Sequence, residues 1–183
     1  MRLDKNTVKN CKPLIITGSA LTKNLIITPS DWHLDNPDMR EIHYSSNNHF
    51  NFFKIWRMKG FDFSQLLNKA GFHERPDTPV TFMADDGFSY TENLACLMNR
   101  YFYPDLTIEQ RESVPPMIVV YRVLCFDEKD PQLPISWKTQ KLTKADLDPQ
   151  SPRLVIGQRL DNAGDDNQSV FVGNLIKIVV GEA

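Results

Sequence analysis

The stretch whose reading decides the fold is Ile55-Trp56-Arg57-Met58-Lys59-Gly60-Phe61-Asp62-Phe63-Ser64-Gln65-Leu66-Leu67-Asn68-Lys69-Ala70-Gly71, followed at once by an apolar run that ends in Asp85-Asp86-Gly87-Phe88. Asp62 has the chemistry of a helix N-cap, with Gln65 three residues on to complete a capping box over amides that lack partners at a helix start. Phe63, Leu66, Leu67 and Ala70 then fall at i, i+3, i+4 and i+7, which gives one apolar face, and Gly71 supplies a left-handed stop. The spacing predicts a short amphipathic helix. Beyond it, Pro79-Val80-Thr81-Phe82-Met83-Ala84 is β-prone and runs into Asp86-Gly87, a pair suited to a turn with positive φ, after which Phe88-Ser89-Tyr90 alternates like a returning strand. A hairpin is expected after the helix.

Working outward, the apolar runs Leu14-Ile15-Ile16 and Leu25-Ile26-Ile27 read as short strands, and Thr28-Pro29-Ser30-Asp31-Trp32 as a helix start whose extent Pro37 limits. Glu41 to Tyr44 reads as a strand leading into the polar run Ser45-Ser46-Asn47-Asn48-His49. Thr91 is expected to open a second amphipathic helix with Leu94, Leu97, Met98 and Tyr101 on one face, and Thr107 with Gln110 forms another capping box before Pro115-Pro116. Met117 to Phe126 is the clearest buried strand. Asp127 to Gln150, rich in proline and charge, reads as an extended excursion over the surface. Arg153 to Ile156, Val170 to Val172 and Leu175 to Val180 are expected strands, the first two bracketing the polar loop Asp161 to Gln168. Strands outnumber helices, the helices are interspersed singly, and there is no internal repeat. An α+β fold with mixed or largely antiparallel sheets follows.

The chain has 183 residues, of which 41% are hydrophobic and 24% charged, so it can bury the core of one domain but would be cramped as two. We expect a single domain over 1–183 with its core at about 13–181. A net charge of −2 without a lysine-arginine cluster supplies no surface for neutralising phosphates, so no nucleic-acid partner is expected. The longest apolar runs reach only half of the roughly 20 residues a membrane helix needs. The chain as given reads as soluble, and a trimmed export signal would leave the same sequence. Cys11, Cys96 and Cys125 are odd in number, widely spaced and without a CxxC pair, so buried, reduced thiols are expected rather than a disulfide framework or a zinc knuckle.

The order of these elements resembles the molybdopterin-binding domain of the sulfite oxidase family. That pattern runs through an early strand pair, a strand ending in a Cys-x-Gly-Asn-like turn, an aromatic-Gly-Leu-Leu-Gly helix and an Asp-Gly-Tyr hairpin. It closes with a Pro-Met/Leu strand, a Pro-x-Arg-apolar segment and a Val-Lys-Trp-like strand. The matching residues here are Trp56, Gly60, Leu66, Leu67, Gly71, Asp86-Gly87-Phe88, Pro116-Met117 and Pro152-Arg153-Leu154-Val155, and they span nearly the whole chain. The resemblance implies a molybdopterin cofactor and oxidoreductase chemistry, with Ser45, Asn48 and Arg153 at cofactor-binding positions.

The departures from that pattern are chemical. In the family a cysteine thiolate binds molybdenum, because a soft, deprotonated sulfur suits the metal. The corresponding turn here is Ser45-Ser46-Asn47-Asn48, which puts a hydroxyl where the sulfur stands. A lysine that the family directs at the pterin phosphate corresponds to Gly173. Arg153 can meet a phosphate through its planar fork or pair with a surface carboxylate, and Ser45 and Asn48 can equally be plain turn formers.

Other constellations lead nowhere specific. His33, His43 and His49 lack a ligand spacing, and Asp161, Asp165, Asp166 and Asn167 offer oxygens without the glutamate that completes an EF-hand. There is no nucleophile elbow, P-loop or Rossmann glycine fingerprint. The expectation is therefore a molybdopterin oxidoreductase-like domain that has lost molybdenum catalysis, binds no cofactor, and works as a binding or interaction module for a protein or small-molecule partner. The alternative is an active molybdopterin-dependent oxidoreductase with a non-cysteine ligand.

Overall fold

The computed structural model describes residues 11–47, 53–73, 75–104, 110–127, 129, 148–160, 167 and 171–182. Two β-sheets dominate. The first has five strands: β1 (Leu14–Thr17), β2 (Leu25–Ile27), β5 (Pro79–Ala84), β6 (Ser89–Asn93) and β11 (Leu175–Val180), in the order β2-β1-β11-β5-β6. The second has four: β3 (Met39–Ser46), β4 (Lys54–Asp62), β9 (Met117–Asp127) and β10 (Asp148–Val155), in the order β10-β9-β4-β3. A small pair, β7 (Tyr101–Phe102) and β8 (Glu112–Ser113), stands apart. Among the described residues every named strand pair is antiparallel except β1 with β11, as a mixed or largely antiparallel sheet requires.

Asp62 is the N-cap its chemistry announces, with Ser64 rather than Gln65 of the expected capping box as its partner among the described residues. Asp62 ends β4 and caps α1 (Phe63–Lys69), its carboxylate accepting the Ser64 backbone N–H at 2.9 Å and the Ser64 hydroxyl at 2.6 Å. Arg40 braces the same carboxylate from β3 at 2.9 Å. Phe63, Leu66, Leu67 and Ala70 are buried, and Gly71 takes φ +71° just past the helix. The expected hairpin is β5–β6, where Gly87 takes φ +89° and Phe88 N–H is held by the Asp86 side chain. Thr28 and Asp31 form a reciprocal capping box on the 3-10 turn Pro29–Trp32.

Two apolar clusters share the four-stranded sheet as a wall. Leu14, Ile16, Phe82, Ile178 and Val180 from the five-stranded sheet meet Ile118, Val120, Leu154 and α1 on one side. Tyr44, Ile55, Met58, Val119, Cys125 and Val155 form the other. Strand β9 thus feeds both cores with alternate residues, which is why its sequence is continuously apolar rather than alternating. Each fully buried aliphatic side chain contributes about 1.5–3 kcal/mol to holding this wall in place.

Several expectations need correction. The second helix, α2 (Leu94–Met98), stops after five residues at Asn99, so Tyr101 leaves the helix face and belongs to β7. Phe171 and Val172 lie outside any strand, although the Val172 carbonyl accepts the Leu154 N–H at 2.9 Å. Strand β10 starts at Asp148, earlier than the apolar residues suggest, because an irregular register between Pro149 and Arg153 lets polar residues join β9. Cys96 is exposed and Cys11 half-buried, so only Cys125 is a buried thiol. The Thr107–Gln110 box, most of Asp127–Gln150, His49 and the acidic residues Asp161, Asp165 and Asp166 lie largely or wholly outside the described residues.

Candidate functional site

Ser45 sits near the end of β3, paired across the ladder with Ile55, and is fully buried. The strand's alternation gives way there, with Tyr44, Ser45 and Ser46 all buried, because the small side chains allow other segments to close over both faces. The Ser45 hydroxyl donates to Gln158 Oε1 at 2.6 Å and accepts the Tyr103 backbone N–H at 3.0 Å. Gln158 is itself held by a two-way bridge, its N–H and carbonyl each bonded to Tyr101 at 2.9 Å. Tyr103 is pinned in turn, its phenol lying 2.6 Å from the Arg159 carbonyl and 2.8 Å from that of Leu160.

Asn167 clasps the same turn from the far side. Its amide nitrogen donates to the carbonyls of Ser45, at 3.0 Å, and Ile156, at 3.1 Å, while its Oδ1 accepts the Asn47 N–H at 3.0 Å. The Ser46 hydroxyl accepts from Trp56 Nε1 at 2.9 Å. Ser45, Ser46, Asn47, Gln158 and Asn167 are all buried, so this is a packed polar knot whose main members satisfy one another.

Arg153 has the opposite character. It lies on β10 opposite Val119, facing the side of the sheet that carries the second core. Its Nε is buried without a hydrogen-bond partner, and no carboxylate among the described residues pairs with it. Burial first, and the nearby Arg122 charge second, push its guanidinium below the usual arginine range. Arg122 lies over the Trp56 ring, its guanidinium carbon 4.9 Å from the centroid. Gly173 borders Arg153 directly: a Cβ there would lie 3.1 Å from Nη2. Two cations with an orphaned donor form a surface on which an oxyanion would be welcome.

The chain does not bring the three expected residues into one pocket that can be described. Ser45 is in the knot, Arg153 lies beyond it, and Asn48 falls outside the described residues. Gln158 touches Ser45 and follows Arg153 by five positions, so at most roughly 18 Å separates the α-carbons of Arg153 and Gln158. Gln158, Tyr103, Asn167 and Arg122 were missed by sequence reasoning. Asn167 was visible only as an oxygen donor in an acidic loop, and nothing periodic marks the others.

A molybdenum anchor needs a deprotonated donor with an open side facing the metal. Ser45 offers neither, since its proton is committed to Gln158, one lone pair accepts from Tyr103, and the side chain is fully buried. Nor is a thiolate at hand nearby in this sheet: burial pushes the Cys125 thiol up, away from its ionised form. The residues present do not fit the metal, although Arg153 fits an anionic group. Of the histidines, His43 stacks on Phe102 with ring centroids 6.3 Å apart, and burial, then Arg57, push its pKa down.

No helix among the described residues is long and apolar enough to cross a membrane. No family model matches the sequence. No curated protein matches it either. Among solved structures, the chain is similar along its whole length to the sulfane dehydrogenase SoxCD from Paracoccus pantotrophus, with a TM-score of 0.52 and 14% identity. It spans 40% of that chain, and at this identity the likeness speaks for a shared fold alone.

Proposed function

We propose that this chain is a molybdopterin oxidoreductase-like domain that has given up molybdenum chemistry and works as a binding or interaction module. The observation that carries the reading is the Ser45 hydroxyl, buried and hydrogen-bonded on both sides where an anchoring sulfur would have to stand open. The ordered motifs of the sequence and the likeness to a sulfane dehydrogenase, an oxidoreductase by name, support the kinship, and the donor set argues against the chemistry.

Elemental and pterin analysis of protein purified from a molybdenum-replete host tests this. The expected result is neither component above trace. Near-stoichiometric molybdenum with pterin would overturn the reading.

One observation favours a second reading, an active molybdopterin-dependent oxidoreductase with a non-cysteine ligand. The orphaned Arg153 Nε, beside Arg122 and against the side-chain-free Gly173, suits a phosphate. In that reading Arg153 and Asn48 hold the cofactor. The same analysis decides between the two, because only the second requires metal and pterin together.

A further inference from the structure

The mismatch at position 45 involves more than one atom. Removing the serine and restoring a sulfur would still leave Gln158 with zero exposure, its carboxamide aimed at residue 45 and its backbone fastened at both ends to Tyr101. The Tyr103 amide closes the second side of the same hydroxyl, and Asn167 ties down the backbone of residues 45 and 47. A thiol is larger than a hydroxyl and a weaker hydrogen-bond donor, so it would sit poorly at the 2.6 Å separation of Ser45 Oγ and Gln158 Oε1. It would nonetheless remain walled off, since the groups that enclose it belong to three other segments.

We propose that Gln158 is the plug of this position: Ser45 and Gln158 form one unit, and the place where the fold would hold a soft-metal anchor is sealed by the glutamine side chain as well as by the loss of sulfur. The inference rests on the reading of Ser45 given under Proposed function. A single substitution at 45 therefore does not reopen the site, and a substitution at 158 does.

Thiol chemistry reads this without any molybdenum. In a Cys11→Ser/Cys96→Ser background, which leaves only the buried Cys125, Ser45→Cys is treated with Ellman's reagent under native conditions and in urea. The expected result is a native rate suppressed at least about 100-fold against the unfolded chain, as for a group that reacts only on local opening. Adding Gln158→Gly is expected to raise the native rate at least about tenfold, with the melting transition still cooperative. Should the glycine variant not fold, Gln158→Ser shortens the plug while keeping a polar group, and is expected to shift the rate the same way. A Ser45→Cys thiol that reacts natively as fast as Cys96 does in the unsubstituted protein would overturn the proposal, as would a rate that ignores both changes at 158. Molybdenum in the natural protein would instead overturn the parent reading, so the two failures are distinguishable.

Discussion

The turn around Ser45 and the flank around Arg153 are two polar regions on one sheet, and they spend their hydrogen-bonding capacity in opposite ways. Around Ser45 each side-chain donor and acceptor described above finds a protein partner, from Gln158, Tyr103 and Asn167. Around Arg153 a buried Nε has none, and the Arg122 charge that acts on it has the same sign. A hydroxyl engaged on both sides stabilises the chain, whereas a buried donor without a partner costs stability and keeps something in reserve.

The contrast breaks most visibly at Asn167. Asn167→Ala leaves the Asn47 N–H and the carbonyls of Ser45 and Ile156 without the partner they share, and an expected loss of about 3 kcal/mol follows from burying several unmatched groups. Urea unfolding reads this as a lower midpoint with an unchanged slope. Ser45→Ala is expected to cost less, about 1–2 kcal/mol, because it orphans only Gln158 Oε1 and the Tyr103 N–H.

At the other region the sign reverses. Arg153→Met keeps the stem that packs on the sheet and removes a half-buried charge that has no carboxylate partner among the described residues, so it is expected to be neutral or to gain up to about 1 kcal/mol, discounted for partial exposure. Inorganic phosphate sharpens the point. It is expected to raise the melting temperature of the natural chain, by the equivalent of about 1.4 kcal/mol at ten times its dissociation constant, and to leave Arg153→Met unmoved. Equal responses would mean that the guanidinium is not an anion site.

The smallest effect is a pH dependence from β3. His43 is held below its ordinary pKa by burial and by Arg57, with Glu41 opposing. The unfolded chain therefore binds that proton more readily, so the neutral imidazole contributes stability that is present above the ordinary histidine pKa and lost as pH falls through the lower folded value. Acidifying from neutral pH is expected to lower the melting temperature, and His43→Gln to flatten that part of the profile.

What could be read ahead of the structure was local. Asp62 with Phe63, Leu66 and Leu67 encodes its helix within a few residues, and Asp86-Gly87 its turn, so both came out as their chemistry requires. Tyr101 shows where such reading stops. Its spacing continues the face of Leu94, Leu97 and Met98, yet its N–H bonds the Gln158 carbonyl, a partner that no window around residue 101 contains. The candidate site divides in the same manner. That position 45 carries a hydroxyl is visible in one letter, whereas its enclosure by Gln158 and Asn167 depends on chain that returns from far downstream. Arg153 was legible as a cation, and its lack of a carboxylate partner among the described residues was not, because pairing is decided by packing between strands.

Strand β11 has a bearing on how the molecule comes into being. It is the last of the described elements along the chain and yet the middle of the five-stranded sheet, with β1 on one side and β5 on the other. During synthesis the β2-β1 and β5-β6 hairpins emerge early and wait, each with an unsatisfied inner edge, until the residues from Leu175 onward leave the ribosome and slot between them. Truncation before Leu175 should therefore yield aggregating hairpins instead of a shortened domain, and the nascent chain should depend on chaperones until β11 arrives.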